Sequence, residues 1–90
     1  MYYIYVLESL KDKKFYIGYT NNLKVRVDNH NKGLVKSTKF RAPFKLVYFE
    51  GCLHQQDATK REKYIKTFYG KIFLRKRLGF YLSFCEKNKF

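Results

Sequence analysis

Tyr16–His30 reads YIGYTNNLKVRVDNH and predicts a β-strand that leads directly into an α-helix. Its first part is rich in aromatic and β-branched side chains, and the TNN that follows is typical of turns and helix N-caps. The apolar residues then return at helical spacing, which places Arg26 and His30 one turn apart. Leu23 and Val27 should point at the core on either side of Arg26. On this stretch alone, Arg26 is equally well explained as a solvated surface charge.

Length and composition predict one small domain with a basic surface. A chain of 90 residues has room for a single core. Hydrophobic residues make up 46% of the chain and aromatic residues 20%, so we expect an ordered protein whose aromatic side chains build the core. Lys and Arg number 20 against 7 acidic residues, a formal net charge of +13. This charge favours a polyanionic partner, nucleic acid first and an anionic membrane surface second.

The cysteines and the apolar runs argue against several other classes of protein. Cys52 and Cys85 lack the spacing of a zinc site or a disulfide framework. The apolar run over residues 2–7 is too short for a secretory signal, and no stretch approaches the roughly 20 residues that a membrane span needs. We therefore expect a cytoplasmic protein without a membrane segment.

The pattern along the chain predicts an α/β (α+β) fold in one domain, residues 1–90, with a three-stranded, mainly antiparallel sheet flanked by helices. The strands are expected at residues 2–8, 15–20 and 44–50, and the helices near residues 22–32, 55–69 and 72–84. The first strand is apolar on both faces and should be central. Residues 9–14 are polar enough for a hairpin turn, and pairing about Leu10 and Lys11 would place Tyr5 directly opposite Tyr16, with Gly18 leaving clearance on the same face.

Glu62 falls in the middle of the apolar face predicted for the second helix. The expected core neighbours on that face are Ala58, Ile65, Phe68 or Tyr69, and Ile72. A carboxylate on an apolar face costs free energy unless it is paired or bound to a metal. Two interpretations stay open: a half-buried ion pair with Arg61 or Lys66, or a ligand for a hard cation such as Mg²⁺.

The unusual side chains together match what phosphodiester cleavage requires. They are two phenols, an arginine, a histidine and a carboxylate: Tyr5, Tyr16, Arg26, His30 and Glu62. A fixed guanidinium stabilises the charge that develops on phosphorus, and a carboxylate can hold a divalent cation. A tyrosine can activate water only if a neighbouring cation lowers its pKa from about 10.

Tyr3–Tyr5 (YIY) and Tyr16–Gly18 (YIG) resemble the two signature tripeptides of the GIY-YIG nuclease superfamily. Arg26 stands where that family carries its arginine, and His30 follows one turn later. The segment Ala58–Lys66 is similar to the helix that carries the family's metal-binding glutamate.

Further along the chain, Thr38–Tyr48 resembles the corresponding loop of small stand-alone members, so the likeness covers nearly the whole chain. Two positions depart from the family pattern. Tyr19 stands where some members carry lysine, and Lys76 lies about where many carry asparagine.

The resemblance implies a metal-dependent DNA endonuclease or nickase that acts in DNA repair or recombination. Glu62 would hold a single Mg²⁺ or Mn²⁺, Arg26 would stabilise the phosphate, and Tyr5 or Tyr16 would activate water. His30 would hydrogen-bond the phosphate or a tyrosine; a partly exposed helix histidine without a role is the alternative.

Two other function classes compete with the nuclease. A catalytically weak or inactive nucleic-acid-binding module on the same fold would carry the same +13 charge. A protein that stacks single-stranded RNA bases would need its Tyr and Phe side chains on one open face, whereas we expect most of them in the core.

Overall fold

A three-stranded antiparallel sheet forms the centre of the protein. The computed structural model describes residues 1–87, with side chains up to residue 85. The strands are β1 (Tyr2–Ser9), β2 (Phe15–Thr20) and β3 (Phe44–Cys52), in the order β2-β1-β3. The helices are α1 (Leu23–Asn31), α2 (Gln55–Ile65), α3 (Phe68–Arg77) and α4 (Gly79–Lys87), with a short 3-10 helix at Lys39–Arg41. The predicted α+β class and the central position of β1 are confirmed.

The loop between β1 and β2 lies within the predicted turn segment, residues 9–14, but the strands do not pair about Leu10 and Lys11. The Ser9 N–H donates to the Lys14 carbonyl at 3.0 Å, and Lys13 occupies the left-handed region with φ of 63°. The Ser9 hydroxyl accepts hydrogen bonds from the backbone N–H groups of Lys11 and Asp12 at 3.1 and 3.2 Å. These hydrogen bonds fix the shape of the loop, and the strand register that goes with it differs from the predicted one.

In this register Tyr5 pairs with Gly18, and Tyr16 pairs with Leu7, so the predicted pairing of Tyr5 with Tyr16 is wrong. The two phenols still lie on the same face as diagonal neighbours, with ring centroids 6.4 Å apart. Gly18 does provide clearance: a Cβ atom built there would lie 2.5 Å from the Tyr5 hydroxyl oxygen.

The two faces of the sheet carry separate hydrophobic clusters. On one face, Ile4 and Val6 pack with residues from α2 and α3. On the other face, Tyr5, Leu7 and Phe44 form a cluster against which Tyr16, Leu46 and the α1 side chains Leu23 and Val27 pack. α1 therefore packs on this second face.

After β3 the described chain forms three helices, where two were predicted over residues 55–69 and 72–84. α2 ends at Ile65, and Thr67 caps α3 because its hydroxyl accepts the Gly70 N–H at 3.3 Å. Phe68 and Tyr69 lie in the first turn of α3, and both are exposed. The prediction that one of them belongs to the core face is therefore wrong. The predicted helix over residues 72–84 is also divided, between α3 and α4.

Many aromatic side chains lie on the surface, which corrects the expectation that they build the core. The exposed ones are Phe40, Phe49, Tyr64, Phe68, Tyr69, Phe80 and Phe84. Both cysteines are free thiols, as predicted. Within residues 1–87, no helix is long and apolar enough to cross a membrane.

Candidate active site

α1 is fixed at both ends, which positions the side chains that it presents to the sheet. At its start, the Asn22 side chain accepts the Val25 N–H at 3.2 Å. At its end, the Asn31 amide donates to the Phe44 carbonyl at 3.2 Å and accepts the Phe44 N–H at 2.6 Å. α1 is thus anchored to the first residue of β3.

His30 lies at the centre of the site and is fully buried, with 0% of its surface exposed. Its Nε2 is 2.9 Å from the Tyr5 hydroxyl, and its Nδ1 is 2.7 Å from the Thr38 hydroxyl. The Tyr5, Tyr16 and Phe44 rings meet the imidazole edge to face, with the Tyr16 centroid at 5.1 Å. The alternative of a partly exposed helix histidine is therefore wrong.

Arg26 is the positive charge closest to the two phenols. Its Nε donates to the Tyr5 hydroxyl at 3.3 Å. It forms no ion pair with any carboxylate in the described part of the chain. The hydrogen bond to Tyr5 engages Nε, and the planar guanidinium has further N–H donors that suit an anionic partner such as a phosphate.

Burial sets the protonation states of Tyr5 and His30. Desolvation raises the pKa of Tyr5 above its ordinary value, and the hydrogen bond and charge of Arg26 offset this only in part. Desolvation, followed by repulsion from Arg26, lowers the pKa of His30 to about 4. At neutral pH Tyr5 is therefore a protonated phenol and His30 a neutral imidazole.

Glu62 lies on α2, a different helix from the one that carries Arg26 and His30. Its side chain is 18% exposed and pairs with Lys66 at 3.2 Å. Arg61, the other predicted partner, instead pairs with Glu50 at 2.9 Å. Within the described residues, no hydrogen bond or ion pair joins Glu62 to Tyr5, but its charge contributes to the raised pKa of Tyr5.

The donor set around Glu62 can be compared with the needs of a divalent cation. In the described part of the chain, no three His, Cys, Asp or Glu side chains cluster as a ready-made metal cage. Mg²⁺ does not require such a cage, because it retains several waters and often binds one or two carboxylates plus substrate phosphates. Glu62 fits this kind of site, since its partner Lys66 is 52% exposed and can turn into solvent.

A small recess opens beside Arg26. It has a volume of about 270 Å³ and is lined by Arg26 and by Tyr2, Tyr19, Thr20, Asn21 and Gln55. The Gln55 amide donates to the Tyr19 hydroxyl at 2.8 Å, so the residue that replaces the family's lysine is held in place by α2. Lys76, the other departure, is exposed in the last turn of α3.

Two neighbours of the site, Thr38 and Gln55, were not predicted from the sequence. Both contacts join segments that are far apart in the chain, and neither residue belongs to a periodic pattern. Thr38 gave one weak signal, a small hydroxyl residue in a loop of basic residues.

The protein is therefore a small α+β domain in which α1 brings Arg26 and His30 to the sheet face that carries Tyr5 and Tyr16. A family model described as the GIY-YIG catalytic domain matches residues 1–78, and the chain belongs to this family of nuclease domains. Relatives of known sequence bear this out. The chain is 48% identical to the UPF0213 protein CPE1444 of Clostridium perfringens over 67 residues, which cover 73% of this chain and 71% of that protein.

Two further proteins extend the likeness to nearly the whole chain and to the fold. The UPF0213 protein YazA of Bacillus subtilis is 38% identical over 89 residues, covering 98% of this chain and 84% of that protein. The solution NMR structure of the UPF0213 protein BH0048 from Bacillus halodurans is 32% identical, with a TM-score of 0.52 and coverage of 84% of each chain.

Proposed function

We propose that the protein is a metal-dependent DNA endonuclease or nickase that hydrolyses phosphodiester bonds. The GIY-YIG family supports the reaction class and DNA as substrate, and the formal net charge of +13 supports a polyanionic partner. Action on branched or damaged cytoplasmic DNA would give it a role in DNA repair or recombination.

Arg26 is the observation that carries this proposal. A partly buried guanidinium is normally neutralised by a carboxylate, because an isolated charge is costly to desolvate. Here a neutral phenol accepts the hydrogen bond instead, beside an open recess. The arrangement leaves a positive charge that a bound phosphate would neutralise, as a transition state of phosphoryl transfer requires.

The two phenols take different roles in this proposal. Tyr5 is 1% exposed, its pKa is raised, and its hydroxyl is occupied by His30 and Arg26. We therefore assign Tyr5 to the positioning of Arg26. Tyr16 is only half-buried and lies on the same face, so it is the phenol better placed to contact an attacking water.

Glu62 would hold a single Mg²⁺ or Mn²⁺ in this proposal. When bound, the cation would supply charge neutralisation for the phosphate and lower the pKa of a bound water. Arg26 would orient the phosphate from the α1 side, and the buried face of the sheet would limit the access of competing water.

Glu62→Gln tests the proposal directly, with nicking of supercoiled DNA as the readout in Mg²⁺ or Mn²⁺. The variant keeps the shape of the side chain but removes the metal-binding charge, so cleavage should be lost. Its thermal midpoint should change little, since the ion pair with an exposed Lys66 contributes about 0–1 kcal/mol. Lys66→Gln is the matched control and should keep activity.

A panel of supercoiled, branched, single-stranded and RNA substrates then defines the substrate.

Cleavage by Glu62→Gln at the wild-type rate would show that Glu62 is not part of the site. Tight DNA binding by the wild-type protein with no cleavage of any substrate would instead support the inactive binding module.

A further inference from the structure

Thr38 lies in the loop between α1 and β3 and is 1% exposed. Its hydroxyl is 2.7 Å from Nδ1 of His30 and 3.4 Å from the carbonyl oxygen of Val35. The backbone N–H of Thr38 donates to the same Val35 carbonyl at 3.0 Å. Thr38 precedes the 3-10 helix but makes no side-chain cap there, so its hydroxyl oxygen remains able to accept a hydrogen from His30.

The segment that carries Thr38 is tied to the hairpin loop. The Ser9 hydroxyl donates to the Arg41 carbonyl at 2.6 Å, and Arg41 pairs with Asp12 at 2.8 Å. The Arg41 N–H in turn donates to the Thr38 carbonyl at 2.9 Å. Thr38 is therefore held in place by contacts that do not involve His30.

The positions of the hydrogens follow from the Tyr5 hydroxyl. Among the described residues it has two polar neighbours, His30 Nε2 at 2.9 Å and Arg26 Nε at 3.3 Å. Arginine has no acceptor, so the phenolic hydrogen can go only to His30 Nε2. This nitrogen must therefore carry a lone pair.

The remaining hydrogens are then determined. A neutral imidazole carries one hydrogen, which must be on Nδ1 of His30 and must be accepted by the Thr38 hydroxyl. The hydrogen of Thr38 goes to the Val35 carbonyl. In the opposite tautomer, the phenolic hydrogen of Tyr5 would be buried without an acceptor, which is costly.

We propose that Thr38 is a positioning residue: by accepting the Nδ1 hydrogen of His30 it holds the tautomer that Tyr5 requires and, through Tyr5, the orientation of the Arg26 guanidinium. Every hydrogen in this chain points the same way: from Arg26 to Tyr5, from Tyr5 to His30, and from His30 to Thr38. The inference rests on the proposed role of Arg26 as the phosphate-binding group.

The test compares two substitutions at one position. Thr38→Val keeps the branched shape and removes the hydroxyl, whereas Thr38→Ser keeps the hydroxyl. ¹⁵N NMR of the His30 ring at pH 7, on the protein without DNA or metal, reports which nitrogen carries the hydrogen. We expect hydrogen on Nδ1 in the wild-type protein and in Thr38→Ser, and a shift towards hydrogen on Nε2 in Thr38→Val.

Nicking kinetics provide the second readout. In Thr38→Val, kcat should fall about tenfold with KM nearly unchanged, because a misdirected Arg26 is felt most in the transition state. Thr38→Ser should stay within about twofold of wild type. If Thr38→Val does not fold, the wild-type spectrum still decides the assignment.

Two outcomes would overturn the proposal. One is hydrogen on Nε2 of His30 in the wild-type protein, and the other is an unchanged tautomer and kcat in a folded Thr38→Val. If the spectra are as expected but the wild-type protein cleaves no substrate, the proposed function is refuted. The assignment of the Thr38–His30–Tyr5 hydrogen bonds would still stand.

Discussion

His30 shows how one buried residue organises the site without direct contact with solvent. Its two ring nitrogens reach Tyr5 on β1 and Thr38 in the loop after α1, so it joins three segments of the chain. The sequence predicted its position on the helix but not its burial. Helical spacing fixes which side a residue faces, whereas burial here depends on residues 35–44 folding over that side.

The buried, neutral state of His30 makes stability depend on pH. Its pKa is about 4 in the folded protein, against 6.5 for an unperturbed histidine. The unfolded state binds more protons between these values, so stability is complete above about pH 6.5 and falls as the pH is lowered towards 4. The loss should reach about 3 kcal/mol.

Thermal midpoints measured between pH 7 and 4.5 check this expectation. His30→Gln should be less stable at pH 7 but show a flatter dependence on pH in this range. An identical slope in His30→Gln would mean that another group titrates.

Arg26 should affect turnover far more than stability. Arg26→Ala removes the guanidinium from the phosphate, and kcat should fall by about 10²–10³-fold, the range seen when one transition-state donor is lost. The thermal midpoint should change by only a few degrees, because the terminal nitrogens make no ion pair in the described residues. Lys24→Ala, on the exposed side of the same helix, should keep full activity.

At the level of elements, the sequence predicted which segments form strands and helices better than it predicted where they pair and end. β2, α1 and the central position of β1 followed from composition and periodicity. The register of β1 and β2 did not, because Ser9 and a left-handed Lys13 shape the loop through hydrogen bonds that have no simple sequence signature. The end of α2 was missed because helical spacing continues through the Thr67 cap.

Gly70 shows why α2 and α3 are separate helices that pack closely. A Cβ atom at this position would collide with the backbone of Ile65, the last residue of α2. Gly70→Ala should therefore destabilise the protein by about 3 kcal/mol, since backbone cannot move aside as a side-chain tip can. Denaturant unfolding measures the difference.

Gly79 is the matched control for this substitution. It begins α4, and a Cβ atom there would meet nothing within 4 Å. Gly79→Ala should be neutral or stabilise by up to about 1 kcal/mol, because alanine loses less backbone entropy in a helix. Equal effects of the two substitutions would show that helix propensity, and not the close contact at Ile65, controls the junction.

For the molecule as a whole, the formal net charge of +13 on 90 residues predicts that DNA affinity depends strongly on salt concentration. Each neutralised phosphate contributes about −0.9 to the slope of log affinity against log salt concentration, so about five contacts give a slope near −4.5. Affinity for duplex DNA should then fall about 500-fold between 50 and 200 mM salt.

The contribution of Arg26 to the salt dependence of DNA binding connects the charge of the whole molecule to the site. DNA affinity measured without metal at several salt concentrations gives this contribution. If the guanidinium meets a phosphate, Arg26→Ala should reduce the magnitude of the slope by about one while the other contacts persist. Lys24→Ala removes the same charge away from the site and shows whether a loss of net charge alone has this effect.

A wild-type slope near zero, or tighter binding to anionic lipid vesicles than to DNA at equal salt, would contradict a nucleic-acid partner. A reduced slope in Arg26→Ala together with full cleavage activity would place Arg26 at the DNA but outside the reacting phosphate.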